Sequence, residues 1–224
     1  MKFIGHLDVM RYFQKVMRRA DVDIRYSEGF SPHQIMSFAA PLGVGLESHG
    51  EYVDIEVLST DSSAEMLRRI NEVIADGMKA LEYKMLPDNA ANAMSIVAAA
   101  DYTLRFREGY EPEDWDAFAA GLESFLKQEQ ILVIKKTKKG EKETDIRPMI
   151  HELKIGDREI WMKIATGSAA NLKPDAVIRA YYESTGTAMA DFALMITREE
   201  VYASKEEDGK AVLCTLGAFG EDIE

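Results

Sequence analysis

Residues 101–134 read DYTLRFREGYEPEDWDAFAAGLESFLKQEQILVI. Apolar and polar residues alternate over Asp101–Phe106, as they do along a strand with one face buried. From about Pro112 to Gln128 the period changes to that of a helix: Trp115, Phe118, Ala119, Leu122, Phe125 and Leu126 form one stripe, with Pro112 at the first turn. Ile131–Lys135 returns to a strand. A helix with a single apolar stripe, set between strands, needs a sheet to pack against, so the class is α+β.

Downstream, KKTKKGEKE is a charged hairpin turn around Gly140, and the strands Lys142–Ile146 and Leu153–Ile155 bracket DIRPMIHE, where Pro148 interrupts any ladder. Strand Glu159–Ala165, a helix over Pro174–Ser184 stopped by Gly186, and strand Phe192–Thr197 complete this half. Upstream, a helix runs from about His6 to Ala20, with Leu7, Met10, Phe13 and Met17 on one face and Arg11, Lys15, Arg18 and Arg19 on another. Asp23–Tyr26, Ile35–Ala40 and Glu51–Val57 read as strands, and Ser62 with Glu65 forms a capping box that opens a second helix. Leu81–Leu86 closes this half as a strand.

Each half thus follows the split βαβ order, strand–helix–strand–strand–helix–strand, with the first strand apparently missing from the N-terminal half. The expected fold is two ferredoxin-like (βαββαβ) halves, antiparallel sheets with helices on one face. The expected boundaries are 1–88 and 93–204 for the two halves and 205–224 for an acidic tail.

The chain has 224 residues and a net charge of −12, unevenly spread. Residues 2–36 hold six basic groups against four acidic ones, whereas residues 199–224 hold eight acidic groups against Lys205 and Lys210. Overall acidity argues against indiscriminate nucleic-acid binding, but screening beyond about 8 Å lets a local basic face act at short range. No membrane span or secretory signal is read, and the single cysteine, Cys214, suits a reducing cytoplasm. One cysteine and four histidines leave little for a tight zinc site, so neither a metal nor a cofactor is expected. Cys214 alone also cannot supply the three cysteines that hold a radical SAM cluster.

Three stretches go beyond generic pattern. They are the block from Phe3 to Val57, which contains GHLDVMRYFQKVMRRADVDIRYSEGFSPHQIMSFAAPLGVG; KKTKKGEKETDIRPMI from Lys135; and AADYTLRF from Ala99. Together they closely resemble the radical SAM-linked protein family, over nearly the whole chain up to about Thr197. The resemblance implies a partner, a cobalamin-type radical SAM protein, and a bacterial, accessory role in RNA modification or maturation. Family members carry a further basic strand before the block that starts here at Met1. No catalytic residue comes with the resemblance.

The candidate nucleic-acid-binding residues are Arg11, Lys15, Arg18, Arg19 and Arg25, helped by Lys2, with Lys135, Lys136, Lys138 and Lys139 as a second contact at the hairpin tip. The plain alternative is a solvated helix face. His6, Asp8, Tyr26 and His33 could cluster near the SEGFSPH loop as a metal-free RNA-cleaving set, by analogy with ferredoxin-like endoribonucleases. His6 and His33 could equally serve a helix cap and a loop. Asp145, Arg147 and His151 are expected as a structural polar network beneath Pro148, and Gly43-Val44-Gly45 as a bend between strands rather than a phosphate cradle. The expected function is a non-catalytic binding protein that presents RNA or docks to a radical SAM enzyme; the alternatives are an endoribonuclease and a pure protein–protein scaffold.

Overall fold

A computed structural model describes residues 2–137, 140–207 and 209–224. The chain divides into two compact units, Met1–Val97 with Val201–Glu224, and Ala98–Glu200. Both mix helices with antiparallel strands, so the chain is α+β.

The first unit opens with α1 (His6–Arg19), which begins after Gly5 and carries Asp8 in its first turn and Arg18 and Arg19 in its last. These charges match the two ends of the helix dipole. Val16 and Met17 are its buried residues, while Leu7, expected on the buried face, is 70% exposed. Next come β1 (Met36–Phe38), β2 (Glu47–Ser48) and β3 (Val53–Ile55), with β1 and β3 paired antiparallel through Met36↔Ile55. The expected strand Asp23–Tyr26 is reduced to isolated bridges, Ile24 to Val57 and Tyr26 to Gln34.

The second helix, α2 (Ser63–Val73), is capped by Ser62, whose hydroxyl accepts from the Glu65 N–H at 3.4 Å. Met66 and Ile70 pack with Val16, Met17, Ala20, Val22, Ile24 and Met36 to form this unit's core. Arg69 ties the helices together, donating through Nε to the Ala20 carbonyl at 2.8 Å and through a terminal nitrogen to Asp61 at 2.8 Å. After α2 the expected strand Leu81–Leu86 does not form; among the described residues of this stretch Met85 alone bridges, to Glu221. A short helix, α3 (Ala93–Ile96), leads out of the unit, its Ala93 N–H bonded to Asp54 at 2.7 Å.

The following elements are β4 (Val97–Phe106), α4 (Trp115–Leu126), the hairpin β5 (Leu132–Thr137) and β6 (Gly140–Asp145), then β7 (Ile150–Ile155), β8 (Ile160–Ala165), α5 (Pro174–Ser184) and β9 (Leu194–Glu207); they belong to the second unit except for the residues of β9 from Val201 onward and Val97, which count with the first. Four strands of the six-stranded sheet run in the order β9-β4-β8-β7. Counting only these four, the order is fourth, first, third, second, which is compatible with a ferredoxin-like arrangement. The segment after α4 departs from the expected order. β5 and β6 pair only with each other, so Ile131–Lys135 and Lys142–Ile146 form a separate two-stranded arm rather than sheet strands. The hairpin β7–β8 occupies their place, and Pro148 sits in a 3-10 turn, Arg147–Met149, just before it.

Both helices cover one face of this sheet. Phe106 on β4 meets Trp115 and Phe118 of α4 and Tyr182 of α5, with ring centroids 5.5–6.5 Å apart and edge-on. Leu104, Met162, Ile164, Leu122, Val177 and Ile178 are fully buried. The N-cap of α4 is Asp114, which accepts from the Ala117 N–H at 2.9 Å, so the helix starts later than Pro112. α5 ends at Ser184, with Gly186 at φ +74° beyond it. Only a residue tolerant of the left-handed region suits that exit.

At Gly121 of α4 a side chain of α5 lies close by: a Cβ built there would collide with the Tyr181 hydroxyl. The Tyr181 ring packs against Phe118 and Phe125 at 5.4 and 5.7 Å, and swinging it away would break both contacts. Gly121→Val is therefore expected to destabilise by about 1–3 kcal/mol, the usual range for overpacking. Urea denaturation of the variant reads this directly, and unchanged stability would mean that the two helices can move apart freely.

Residues 205–224, expected as an acidic tail, are built into the first unit. β10 (Lys210–Thr215) pairs with β9 from Lys210↔Glu207 to Thr215↔Tyr202. Beyond it, Met85 and Glu221 exchange backbone hydrogen bonds at 2.8 and 2.9 Å. The Ile223 N–H reaches the Ser63 hydroxyl at 2.8 Å. Among the described residues, no helix is long and apolar enough to cross a membrane.

Candidate nucleic-acid interface

Arg11, Lys15, Arg18 and Arg19 are spaced three and four apart, so α1 projects them from one side. All four are exposed, and Val16 and Met17 hold the opposite side in the core. Not all of this charge is free. Arg11 pairs with Asp8 at 3.2 Å, Arg25 with Glu56 at 2.6 Å, and Lys2 with Glu47 at 2.8 Å. The Lys2 contact holds the Glu47 carboxyl below its ordinary range, mainly through the hydrogen bond. Among the described residues, no ion pair engages Lys15, Arg18 or Arg19. The net positive part of the expected face is therefore the last turn and a half of the helix. Of the hairpin lysines, Lys138 and Lys139 lie outside the described residues; Lys135 and Lys136 stand opposite Lys142 and Glu141 in the β5–β6 register.

The proposed acid–base residues hold separate structural positions. The His6 ring packs edge-on to Phe38 at 5.8 Å. The Tyr26 hydroxyl accepts from Gln34 Nε2 at 3.4 Å. His33 closes its own loop, with Nδ1 at 2.8 Å from the Ser27 hydroxyl and its backbone N–H donating to the same oxygen at 3.1 Å. Asp8 is engaged by Arg11. Among the described residues, no hydrogen bond or ring contact joins His6, Tyr26 and His33 to one another.

At the base of the hairpin arm, the side chains of Asp145 and Arg147 each bind backbone groups rather than pairing with one another. Asp145 Oδ1 accepts from the N–H groups of Ile131 and Arg147 at 2.9 and 3.0 Å. The Arg147 guanidinium donates to the carbonyls of Leu126 and Ile150 at 2.9 and 3.2 Å. Together they fix the exit from α4, the arm and the start of β7. His151 lies on β7 outside this arrangement, and partial burial, with the Lys163 ammonium nearby, pushes its pKa down. Gly45, at φ +94°, donates to the Lys2 carbonyl at 2.6 Å, so Gly43–Gly45 forms a bend ahead of β2 and opens no helix. Among the described residues, no group of three or more His, Cys, Asp or Glu is placed to hold a metal ion.

One surface was not singled out from sequence. Along β8, Ile160, Met162 and Ile164 are buried, while Trp161 and Lys163 alternate with them toward the face away from α4 and α5. In the register, Trp161 stands opposite Thr103 on β4 and Lys154 on β7. The Lys154 and Lys163 ammonium groups lie 4.8 and 5.7 Å from the Trp161 ring centroid, within cation–π range. The signal was present in the sequence: IWMKI places a tryptophan and a lysine at matching parity, opposite three aliphatic residues.

A family model described as "Uncharacterized protein conserved in bacteria (DUF2344)" matches residues 1–174. Comparison with curated proteins and with solved structures finds no match.

Proposed function

The chain belongs to that uncharacterized bacterial family, and on this premise we propose that it is a non-catalytic RNA-binding module that presents RNA to a partner enzyme. The observation that carries the reading is the exposed end of α1, where Lys15, Arg18 and Arg19 stand together with no acidic partner among the described residues. In a chain of net charge −12, three adjacent bare cations are a local exception, and phosphate is the ligand they suit. The partner we assign is the cobalamin-type radical SAM protein that the sequence resemblance implies, and the work of the pair is RNA modification or maturation. Cys214 alone leaves the cluster chemistry to the partner.

The reading is tested by incubating the purified chain with total cellular RNA in the presence of a chelator. Intact RNA retained on the protein at low salt, and released as salt rises, is the expected result. RNA cleavage abolished by His6→Ala or His33→Ala would instead make the protein a metal-independent nuclease. No retention at any salt would leave a protein–protein scaffold.

A further inference from the structure

We propose that the loop Ser27–His33 of the first unit holds a nucleobase of single-stranded RNA, stacked on the Phe30 ring; this rests on the RNA-binding reading and names the form of RNA taken. The loop is pinned at its base. The Ser27 N–H donates to the His33 carbonyl at 2.8 Å, the His33 N–H donates to the Ser27 hydroxyl at 3.1 Å, and His33 Nδ1 lies 2.8 Å from the same oxygen. Gly29, at φ +106°, makes the turn at its tip. Phe30 follows it and is fully exposed, and among the described residues no aromatic ring or ammonium group lies against its ring.

The strands place this loop. Phe38 packs against His6 and Phe13, whereas Met36 shares the core with Val16, Met17 and Ala20. The path from Phe38 back to Met36 therefore follows α1 towards its last turn, and Gln34 and the loop continue in that direction. The register on the other side agrees. Val53 stands opposite Phe38, Ile55 opposite Met36, and Val57 opposite Ile24, in the segment that leads into the loop. The loop thus leaves the unit at the end where Lys15, Arg18 and Arg19 are exposed without an acidic partner among the described residues.

The chemistry of this arrangement selects its occupant. An open phenyl ring offers a π-face to any planar base, and cations at the same end meet the phosphates that flank that base. A duplex keeps its base faces stacked on each other, so only a single strand or an RNA loop presents one. His33 adds a polar contact beside the ring. Its Nδ1 is taken up within the loop, and among the described residues nothing engages Nε2, which donates or accepts one hydrogen bond according to the tautomer. Glu28 is the one carboxylate in the loop, and the three cations outweigh it. An apolar pocket on another protein would also take a phenyl ring, but it would leave those cations without a counter-charge.

Because the ring is fully exposed, it can be replaced without touching the core. The native chain, Phe30→Ala and Phe30→Trp are titrated with a fluorescently labelled oligouridine and with an RNA duplex of equal length, following both label anisotropy and tryptophan emission. Phe30→Ala should weaken single-strand binding by about 5- to 150-fold, the usual worth of one stacked base, and leave its salt dependence unchanged. Phe30→Trp should bind at least as tightly as the native chain. Its emission should show saturable quenching, beyond that of the native tryptophans, which tracks the anisotropy change for the single strand and is absent for the duplex. Native affinity in Phe30→Ala, or binding by Phe30→Trp with no added quenching, would overturn the role of the loop and leave the RNA-binding reading standing. Equal added quenching by the duplex would overturn the preference for single strands. No anisotropy change with either RNA would remove the RNA-binding reading, and the role of the loop with it.

Discussion

Replacing Lys15, Arg18 and Arg19 together by glutamine is expected to lower RNA affinity by on the order of 10- to 100-fold and to flatten its salt dependence. Each phosphate neutralised on a single strand contributes about −0.7 to the slope of log affinity against log salt, so losing three contacts should reduce the slope by about 2. Glutamine is chosen because its helix propensity is close to that of lysine and arginine. Glutamate in the last turn would also oppose the helix dipole and confuse binding with folding. All three side chains are exposed, and Val16 and Met17 carry the packing of this segment, so the far-ultraviolet spectrum should not change. The matched control is Arg11→Gln with Arg25→Gln. Both of those residues already face a carboxylate, at 3.2 and 2.6 Å, and their loss should affect affinity much less. Equal losses in the two variants would mean that total charge matters and the end of α1 does not.

Phe118→Ala should produce the largest loss of stability. Its ring is 7% exposed and lies at 5.3–5.5 Å from those of Phe106, Trp115 and Tyr181, with Tyr182 at 6.1 Å. Truncation removes the ring that joins β4, α4 and α5 and leaves a cavity that four aromatic neighbours are too rigid to fill. The expected cost is about 3–5 kcal/mol, against a total of about 5–15 kcal/mol for an ordinary protein. Phe118→Leu, which keeps most of the volume, should recover more than half. Urea titration followed by circular dichroism measures both. A loss below about 1 kcal/mol for the alanine variant would show that the ring cluster is loosely packed.

These two variants also show which features could be read before the structure. The helices were legible because their signals are local. Of the stripe, Phe118, Leu122 and Phe125 are buried as its spacing required, with Trp115 half-buried at the helix start, and Pro174–Ser184 matched the expected bounds of α5. Partner choice among strands is non-local, and there the sequence misled. Nothing in ILVIK distinguishes a strand of the sheet from one arm of a hairpin, and β5 finds its partner only in β6. Pro148 does interrupt the ladder, in a 3-10 turn over Arg147–Met149, but β7 starts immediately after it at Ile150 and not at the expected Leu153. LEYKML reads as a strand, yet the chain uses only Met85, whose partner Glu221 lies far along the sequence.

The same distinction applies to the candidate sites. The basic ridge of α1 could be listed from spacing, but which of its charges are already neutralised depends on Asp8 and on Glu56, the second distant in sequence. His6, Tyr26 and His33 looked alike as a set of polar residues around one loop. Their partners, Phe38, Gln34 and Ser27, give each a separate structural contact. Trp161 carries a weaker signal than Trp115, which sits in a helical stripe. Alternation within IWMKI would have placed it on a sheet face.

The most direct measurement is ultraviolet cross-linking of the chain to RNA in a bacterium that expresses it, followed by purification under denaturing conditions and sequencing of the attached RNA. A defined set of single-stranded RNA segments should be recovered with the native chain and be strongly depleted when Lys15, Arg18 and Arg19 are glutamine. Recovery of no RNA from the native chain, or of equal amounts from both, would contradict an RNA-presenting role.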